Sequence, residues 1–477
     1  MAIYHFADNY APNAHASAIQ GNDSWSGLSP TFVGGSNGPK RNPANFNPAV
    51  LQAGDSVLFA QGSAWSNDFN ALIENPASSS MARTNLITFD SYDPGTGATG
   101  APWFKSTANG FMFGGFGGTG APAHGGYLVQ NIKFEGPAPG GGPNFTEDSF
   151  GVRINQPIKW FILRNCEIYG FKAGVAVPQA ADCASSYILI ENNTIHHCGL
   201  AGIEGYANWF MVQNNTMYAN GEWHPLTHAI YCGSHAVETT AGTFRHNYLY
   251  DNNLNGSGVC VGGNLTVRGK LRGTHIKDNR IHNEGGLFTS NAGGIAHKPG
   301  YPGVAEYHLY TKVERNDISG VQSHISLTSV PGVLVQANNM RDNGTVAASA
   351  PACVGIGMPI PERDAEDVTP DSGAQLIGNA FASTNPRNGT QPFWIGHPTG
   401  DGAGAGVVID SNTITLGSGA GSSYAMTLDE VGTAYASISN NTLSGGSGWN
   451  SAHASLAAFE AYYDALPGTT CTGNTGP

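Results

Sequence analysis

The sequence predicts an all-β solenoid, a parallel β-helix, and three observations carry that prediction. One asparagine recurs at intervals of 22 to 40 residues along most of the chain. Around each occurrence lie short stretches in which apolar and polar residues alternate, the period-two pattern of strands, and no unit contains a helix-length apolar stripe. Glycine supplies 66 of 477 residues and charged residues only 12%, while 40% of the chain is hydrophobic. That composition suits many tight turns around a packed interior and does not suit disorder.

The repeat aligns on Asn165, Asn193, Asn215, Asn247, Asn279, Asn316, Asn339, Asn379, Asn412 and Asn441, in segments such as NCEIYG, NNTIHH, DNRIHN and NNTLSG. A strand leads into each asparagine, an apolar residue follows two or three positions later, and a glycine-rich step opens another strand. AGVAV, AGIEGY, THAIYC, GSGVCV, GGIAHK and SHISLT are examples of that strand. Asparagine tolerates the left-handed conformation of a sharp bend, and its amide can bond to the asparagine one coil away. A coil of this size cannot bury its apolar face alone, but stacked coils can, with rungs about 4.8 Å apart. Residues 1–125 are expected to form an N-terminal cap with the first coils, with a short helix in PANFNPAVLQAGDSVLFAQGSAW. Residues 126–447 form the solenoid. In 448–477, Leu456, Phe459, Tyr462, Tyr463 and Leu466 have the spacing of a covering helix.

No run of eighteen apolar residues exists to span a membrane. Seven scattered cysteines without a CxxC pair fit no zinc motif and read as small buried side chains. A net charge of −13 argues against nucleic acid as a partner. The charge is uneven, however: Arg245 to Arg315 holds nine basic and five acidic residues, against 12 basic and 29 acidic elsewhere. Such a positive band suits a polyanionic ligand. The opening MAIYHFADNYAPNAH has neither the basic nor the apolar region of a secretion signal. The expectation is an extracellular or secreted protein, or one carried on a phage particle.

GNDSWSGLSP, AGDSVLFAQGSAW and the asparagine-anchored coils together resemble the right-handed parallel β-helix proteins that act on polysaccharides. These include alginate-lyase-like and pectate-lyase-like enzymes, related epimerases and phage tailspike depolymerases. The resemblance covers nearly the whole chain. It implies the right-handed fold, and a polysaccharide as substrate for a monomer or a spike-like homotrimer.

Stacking the coils defines a face. Val175, Ile203, Ile230, Val259, Ile295, Ile325 and Ile356 align as inward residues, so Ala176, Glu204, Tyr231, Cys260, Ala296, Ser326 and Gly357 point outward. Two residues further on come Pro178, Tyr206, Gly233, Gly262, Lys298, Thr328 and Pro359. Glu204, Tyr206, Tyr231 and Lys298 rise from a floor of small residues, with His228 just ahead of Tyr231. GEWHPLT is an insertion beside that floor, and its Trp223 offers a flat apolar ring to a sugar. Glu204, Tyr206, Trp223, His224, Arg245 and Arg268 are therefore candidate substrate-binding residues.

Removing the C5 proton of a uronic acid requires a base, an acid at the departing oxygen and a cation on the carboxylate. His228 and Tyr231 are the expected acid–base pair, with Lys298 as the cation. The function expected is a lyase acting on an acidic polysaccharide, such as alginate, by β-elimination. Hydrolysis is the alternative and needs two carboxylates, Glu204 with Glu222, Asp251 or Glu284. A glycan-binding β-helix without catalysis is the other. A zinc site of His224, His228 and His235 is disfavoured by Pro225 and the strand context. No carboxylate cluster suggests calcium, so no cofactor is expected.

Overall fold

The computed structural model describes the chain except residues 9–20, 67–71, 74–83, 114–123, 142–147, 156, 178–184, 206, 222–226, 241, 256, 258, 284–286, 289–292, 298–305, 343–351, 357–372, 385–390, 397–405, 418–422 and 429–435. It divides into two units, Met1–Glu222 and Trp223–Pro477. Each is a stack of coils made of three kinds of strand. Strand a, such as Ile158–Arg164 or Ser186–Glu191, ends at the asparagine turn. Strand b, such as Glu167–Tyr169 or Thr194–His196, follows at once, and strand c, such as Ala173–Ala176 or Ala201–Glu204, closes the circuit. Within each unit, like strands of successive coils pair in parallel, for example Ile168 with Ile195 and Val175 with Ile203. No helix among the described residues is long and apolar enough to cross a membrane.

The asparagine turn divides its work between two adjacent residues. The first adopts the left-handed conformation: Asn131, Asn165, Asn192 and Asn214 in one unit, and His246, Asp278, Arg315, Ala337, Gly378, Ser411, Asn440 and Gly473 in the other, all with φ between 52° and 70°. The second turns its side chain inward. In the C-terminal unit this second residue forms an unbroken ladder of Asn247, Asn279, Asn316, Asn338, Asn379, Asn412, Asn441 and Asn474. From Asn279 onward, each side-chain oxygen accepts from both the backbone N–H and the amide of the asparagine before it. Asn316, for instance, accepts from Asn279 at 3.0 and 2.9 Å. Its own amide donates to the Ile276 carbonyl and to Asn338. The ladder asparagines are almost wholly buried, so every rung must be satisfied internally.

This corrects the alignment at two coils. Asn338, not Asn339, is the ladder residue, and Cys166, not Asn165, holds the equivalent place in the N-terminal unit, where its N–H donates to Asn193. Asn165 supplies only the left-handed bend, at φ 53°.

A second left-handed residue lies five positions before the first, at the corner that opens strand a. It is Gly126, Trp160, Tyr187 and Trp209 in the N-terminal unit, and Gly273, Tyr310, Gly332, Gly373, Gly406 and Gly468 in the C-terminal unit. For a residue with a side chain this conformation costs roughly 1–2 kcal/mol, so glycine is the unstrained choice.

The interiors differ. Phe59, Phe89, Phe104, Phe111, Phe113 and Phe134 pack ring against ring in the N-terminal unit, with centroids 4.9 to 6.3 Å apart. The C-terminal unit stacks mainly aliphatic columns, such as Ile281, Ile318, Met340, Phe381 and Ile414. Cys166, Cys198, Cys232, Cys260 and Cys471 are buried free thiols.

The helix expected near the N-terminus is instead two single 3-10 turns, Pro43–Asn45 and Pro48–Val50. Each begins with a proline whose fixed φ starts the turn, and each is capped by an asparagine side chain, Asn42 or Asn47. Ile3–Phe6 begins the first sheet and pairs in parallel with Ser56–Ala60. At the other end, helix α1 spans Leu456–Asp464, with Ser455 as N-cap. It buries Phe459 and Tyr463, and Phe459 packs 5.3 Å from Trp449.

Candidate functional site

The outer face of the c strands carries the expected groups, in a register that differs from the sequence alignment. In the C-terminal unit the inward column is Ile230, Leu265, Ile295, Ile325, Val354 and Phe393. Leu265 takes the place assigned to Val259, and Val354 that of Ile356. Val259–Cys260 instead pairs with Leu287–Phe288 in a small separate sheet, and Cys260 is buried. The outward column is therefore Tyr231, Thr266, Ala296, Ser326, Gly355 and Trp394, followed two residues on by Gly233 beside Arg268. Thr266 and Arg268 thus replace Cys260 and Gly262. Arg268, a candidate substrate-binding residue that the sequence alignment left off this face, belongs on the face itself.

His228 opens the c strand His228–Thr240 and stacks on Tyr231, with ring centroids 4.9 Å apart and planes at 20°. Its Nδ1 lies 3.3 Å from the Gly263 carbonyl oxygen and 3.0 Å from the Thr266 hydroxyl. A carbonyl can only accept, so Nδ1 carries the proton and Nε2 keeps its lone pair. Burial, and next the Arg268 charge, press the His228 pKa down to about 3. The imidazole is neutral in any ordinary buffer. The Arg268 guanidinium carbon sits 5.7 Å from the centre of the Tyr231 ring, and its Nε is buried without a hydrogen-bond partner among the described residues. The result is a neutral base, a phenol and an unsatisfied cationic donor on two neighbouring coils.

Glu204 lies on the c-strand face of the N-terminal unit, beside Ala176 in register. Burial raises its pKa, while Lys172 and Arg153 draw it back down. These two cations were not anticipated; both stand near the c strands, and Arg153 pairs in register with Ala176. Arg245 falls on strand a, pairing with Lys277, and so belongs to a different sheet from His228, Tyr231 and Arg268. Tyr206, Trp223, His224 and Lys298 lie outside the described residues, as do Glu222 and Glu284. Among the described residues no group of three potential metal ligands converges.

A further titratable cluster, missed by the sequence reading, occupies the outer face of the b strands in the N-terminal unit. The His196 ring is sandwiched between Tyr169 and Tyr218 at 4.8 and 4.7 Å. His196 bonds Glu167 at 3.3 Å, Glu167 meets Lys133 at 3.0 Å, and Tyr169 donates to Glu135. The hydrogen bond from His196, ahead of the Lys133 contacts, lowers the Glu167 pKa. Here the polar groups satisfy one another, whereas Arg268 Nε meets no acceptor among the described residues.

Residues 144–298 match the family model described as right handed beta helix region. The chain is a right-handed parallel β-helix. Among solved structures this β-helix is similar to XylC in complex with xylose, with a TM-score of 0.51 and 10% identity over 87% of this chain and 84% of that one. It is also similar to the pectate lyase Pel9A, with a TM-score of 0.46 and 14% identity over 80% and 77% of the two chains. The A-module of the mannuronan C-5 epimerase AlgE6 from Azotobacter vinelandii gives 0.46 and 15%, over 89% and 91%. No curated protein matches the chain in sequence. At these identities the likeness is one of fold.

Proposed function

We propose that this β-helix is an extracellular enzyme that depolymerises an acidic polysaccharide by β-elimination. The observation that supports this reading most is the Arg268 Nε–H, a buried cationic donor without a hydrogen-bond partner among the described residues, beside a neutral histidine and a tyrosine. A desolvated donor of this kind is costly unless something accepts from it, and a uronate carboxylate would do so with a charge-assisted bond. Neutralising Arg268 would also lift one of the two influences that depress His228. A bound carboxylate would thereby strengthen the base that acts on it.

In the proposed step His228 Nε2 takes the C5 proton. The C5–H electron pair forms the C4–C5 double bond as the C4–O4 bond breaks, and Tyr231 protonates the departing O4. Lys298 is a second candidate cation. The fold's likeness to carbohydrate-active proteins and the positive stretch from Arg245 to Arg315 are in keeping with this reading.

Hydrolysis is the second reading, favoured by the raised pKa of the partly buried Glu204, the property required of a general acid. Ultraviolet absorbance during incubation with a panel of polyuronates and neutral glycans separates the two. β-Elimination gives a rising signal from unsaturated sugar ends. His228→Ala should then lower kcat by about 10²–10⁴-fold, and Arg268→Ala should chiefly raise KM. New reducing ends without that absorbance would sink elimination and move attention to Glu204.

A further inference from the structure

The corner that opens strand a carries a second unassigned feature. In the C-terminal unit this left-handed position is glycine in five of its six described coils, with Tyr310 the exception. In the N-terminal unit three successive coils place aromatic residues there, Trp160 at φ 69°, Tyr187 at 61° and Trp209 at 56°. Register is continuous through them, since Lys159 pairs with Ser186 and Ser186 with Asn208 on one side, and Phe161 with Ile188 and Ile188 with Phe210 on the other. The rings form one file. Trp160 and Tyr187 are 3.9 Å apart and 12° from parallel, and Tyr187 and Trp209 are 6.2 Å apart and 10° from parallel. At the wider separation the rings are slipped, leaving ring surface uncovered. Tyr187 is 36% and Trp209 54% exposed.

Core packing does not account for this file, because Tyr187 and Trp209 are exposed and Trp160 is partly so. The backbone does not account for it either, because Gly126 fills the same corner one coil earlier without strain. Three bulky residues held in a left-handed conformation, each where glycine would suffice, point to a use for the rings themselves.

We propose that Trp160, Tyr187 and Trp209 form an auxiliary binding strip for an extended polysaccharide chain, separate from the c-strand face. This rests on the reading that the protein acts on polysaccharides. The strip presents one aromatic per rung, and rungs repeat at about 4.8 Å, close to the length of one sugar unit in an extended glycan. Aromatic surface suits the C–H faces of sugar rings. Lys159, Ser186 and Asn208 run alongside in register, with polar groups of the kind that meet hydroxyls. On the other side lie the half-buried Ile162, Leu189 and Met211. A strip of this kind would hold a long polymer on the enzyme between cuts without touching the reacting bond.

The test uses the full chain in native gels containing alginate, polygalacturonate or xylan, with size-exclusion chromatography beside them. In W160G/Y187G/W209G the corner becomes what Gly126 already is, so the thermal midpoint should hold or rise. W160N/Y187N/W209N, with asparagine adapted to the same backbone, guards against a folding fault. Both variants should bind the retarding polymer at least tenfold more weakly, while kcat on short oligosaccharides stays unchanged. His228→Ala should keep full retardation with turnover lost. If wild-type protein is retarded but turns nothing over, and the glycine variant is not retarded, the strip stands and the catalytic reading falls. Equal retardation of wild type and both variants overturns the strip. So does absence of retardation in the wild type. A fall in oligomeric mass with retardation unchanged also overturns it, in favour of contact with a second copy.

Discussion

The two units build the same coil from different materials. The C-terminal unit runs on an eight-residue asparagine ladder and aliphatic columns, and its strand-a corners are mostly glycine. The N-terminal unit has phenylalanine rings inside, aromatic rings at the corner outside, and a ladder that begins with a cysteine. The coil thus depends on two left-handed bends and an inward apolar residue in each strand, and the chemistry filling the other columns is free to vary. Where a filling is costlier than the geometry requires, as at Arg268 Nε or the Trp160 corner, the excess is a reason to look for a ligand.

The largest expected difference between the units appears on acidification. His228, His297 and His308 all lie in the C-terminal unit, and burial holds the first two near a pKa of 3 and the third well below its usual value. His297 and His308 face each other with Nδ1 atoms 3.0 Å apart, and neither Nε2 has a partner among the described residues. The unfolded chain binds protons on these residues at about 6.5, so the stability they carry is complete above that pH and is lost as pH falls toward 3. Each proton that the unfolded chain binds and the folded chain excludes corresponds to about 1.4 kcal/mol per pH unit inside that window. Hydrogen exchange between pH 7 and 4.5 should therefore show the C-terminal unit losing protection first. H297L/H308L, which removes both members of the pair together, should make the pH slope of the C-terminal unit clearly shallower. An unchanged slope would show that these imidazoles are hydrated, and the contrast between the units would disappear.

The ladders allow a finer comparison. Asn316→Ala strands two buried donors of Asn279, its backbone N–H and its amide. Asn193→Ala strands only the Cys166 N–H on that side, because cysteine has no amide to lose a partner. With each unsatisfied donor costing about 1–3 kcal/mol, the first substitution should destabilise by about 3–5 kcal/mol and the second by about 1–2 less. Urea unfolding of both variants measures this. Equal losses would mean that the ladder asparagines act as independent turn formers and not as a connected chain.

Much of this was legible in the sequence. The repeat, the inward columns and the left-handed bends follow from spacing, alternation and the known tolerance of asparagine and glycine. What failed was register at the scale of one or two residues. In NNM at 338–340 and RNC at 164–166, either the asparagine or its neighbour could be the inward residue, and a three-residue strand offers too little alternation to decide. GVCV at 258–261 has the pattern of a c strand, but Val259–Cys260 joins a side sheet, and the true strand Gly263–Arg272 begins just after it. That error hid Thr266 and Arg268 behind Cys260 and Gly262. The His196 cluster was missed because its members lie in four different coils, each apart an ordinary outward residue; only the stacking of b strands brings them together.

The smallest expected effect tests whether the difference between the ladders is imposed by geometry. Cys166 is buried, its thiol pushed up to about 12 by that burial, and its Sγ lies 3.3 Å from the Arg164 carbonyl. Ile132 occupies the same column one coil earlier, as its carbonyl accepts the Glu167 N–H just as that of Cys166 accepts the Thr194 N–H. In C166N the new amide should donate to Asn193, as Asn279 does to Asn316, and the Ile132 N–H stands where its oxygen needs a donor. Every polar atom then has a partner, so the substitution should change stability by less than about 1 kcal/mol. The added volume is its only penalty. A loss of about 2 kcal/mol or more, the range of overpacking, would show that the phenylalanine-packed coils are too tight for an amide. The two units would then differ in the shape of their interiors as well as in composition.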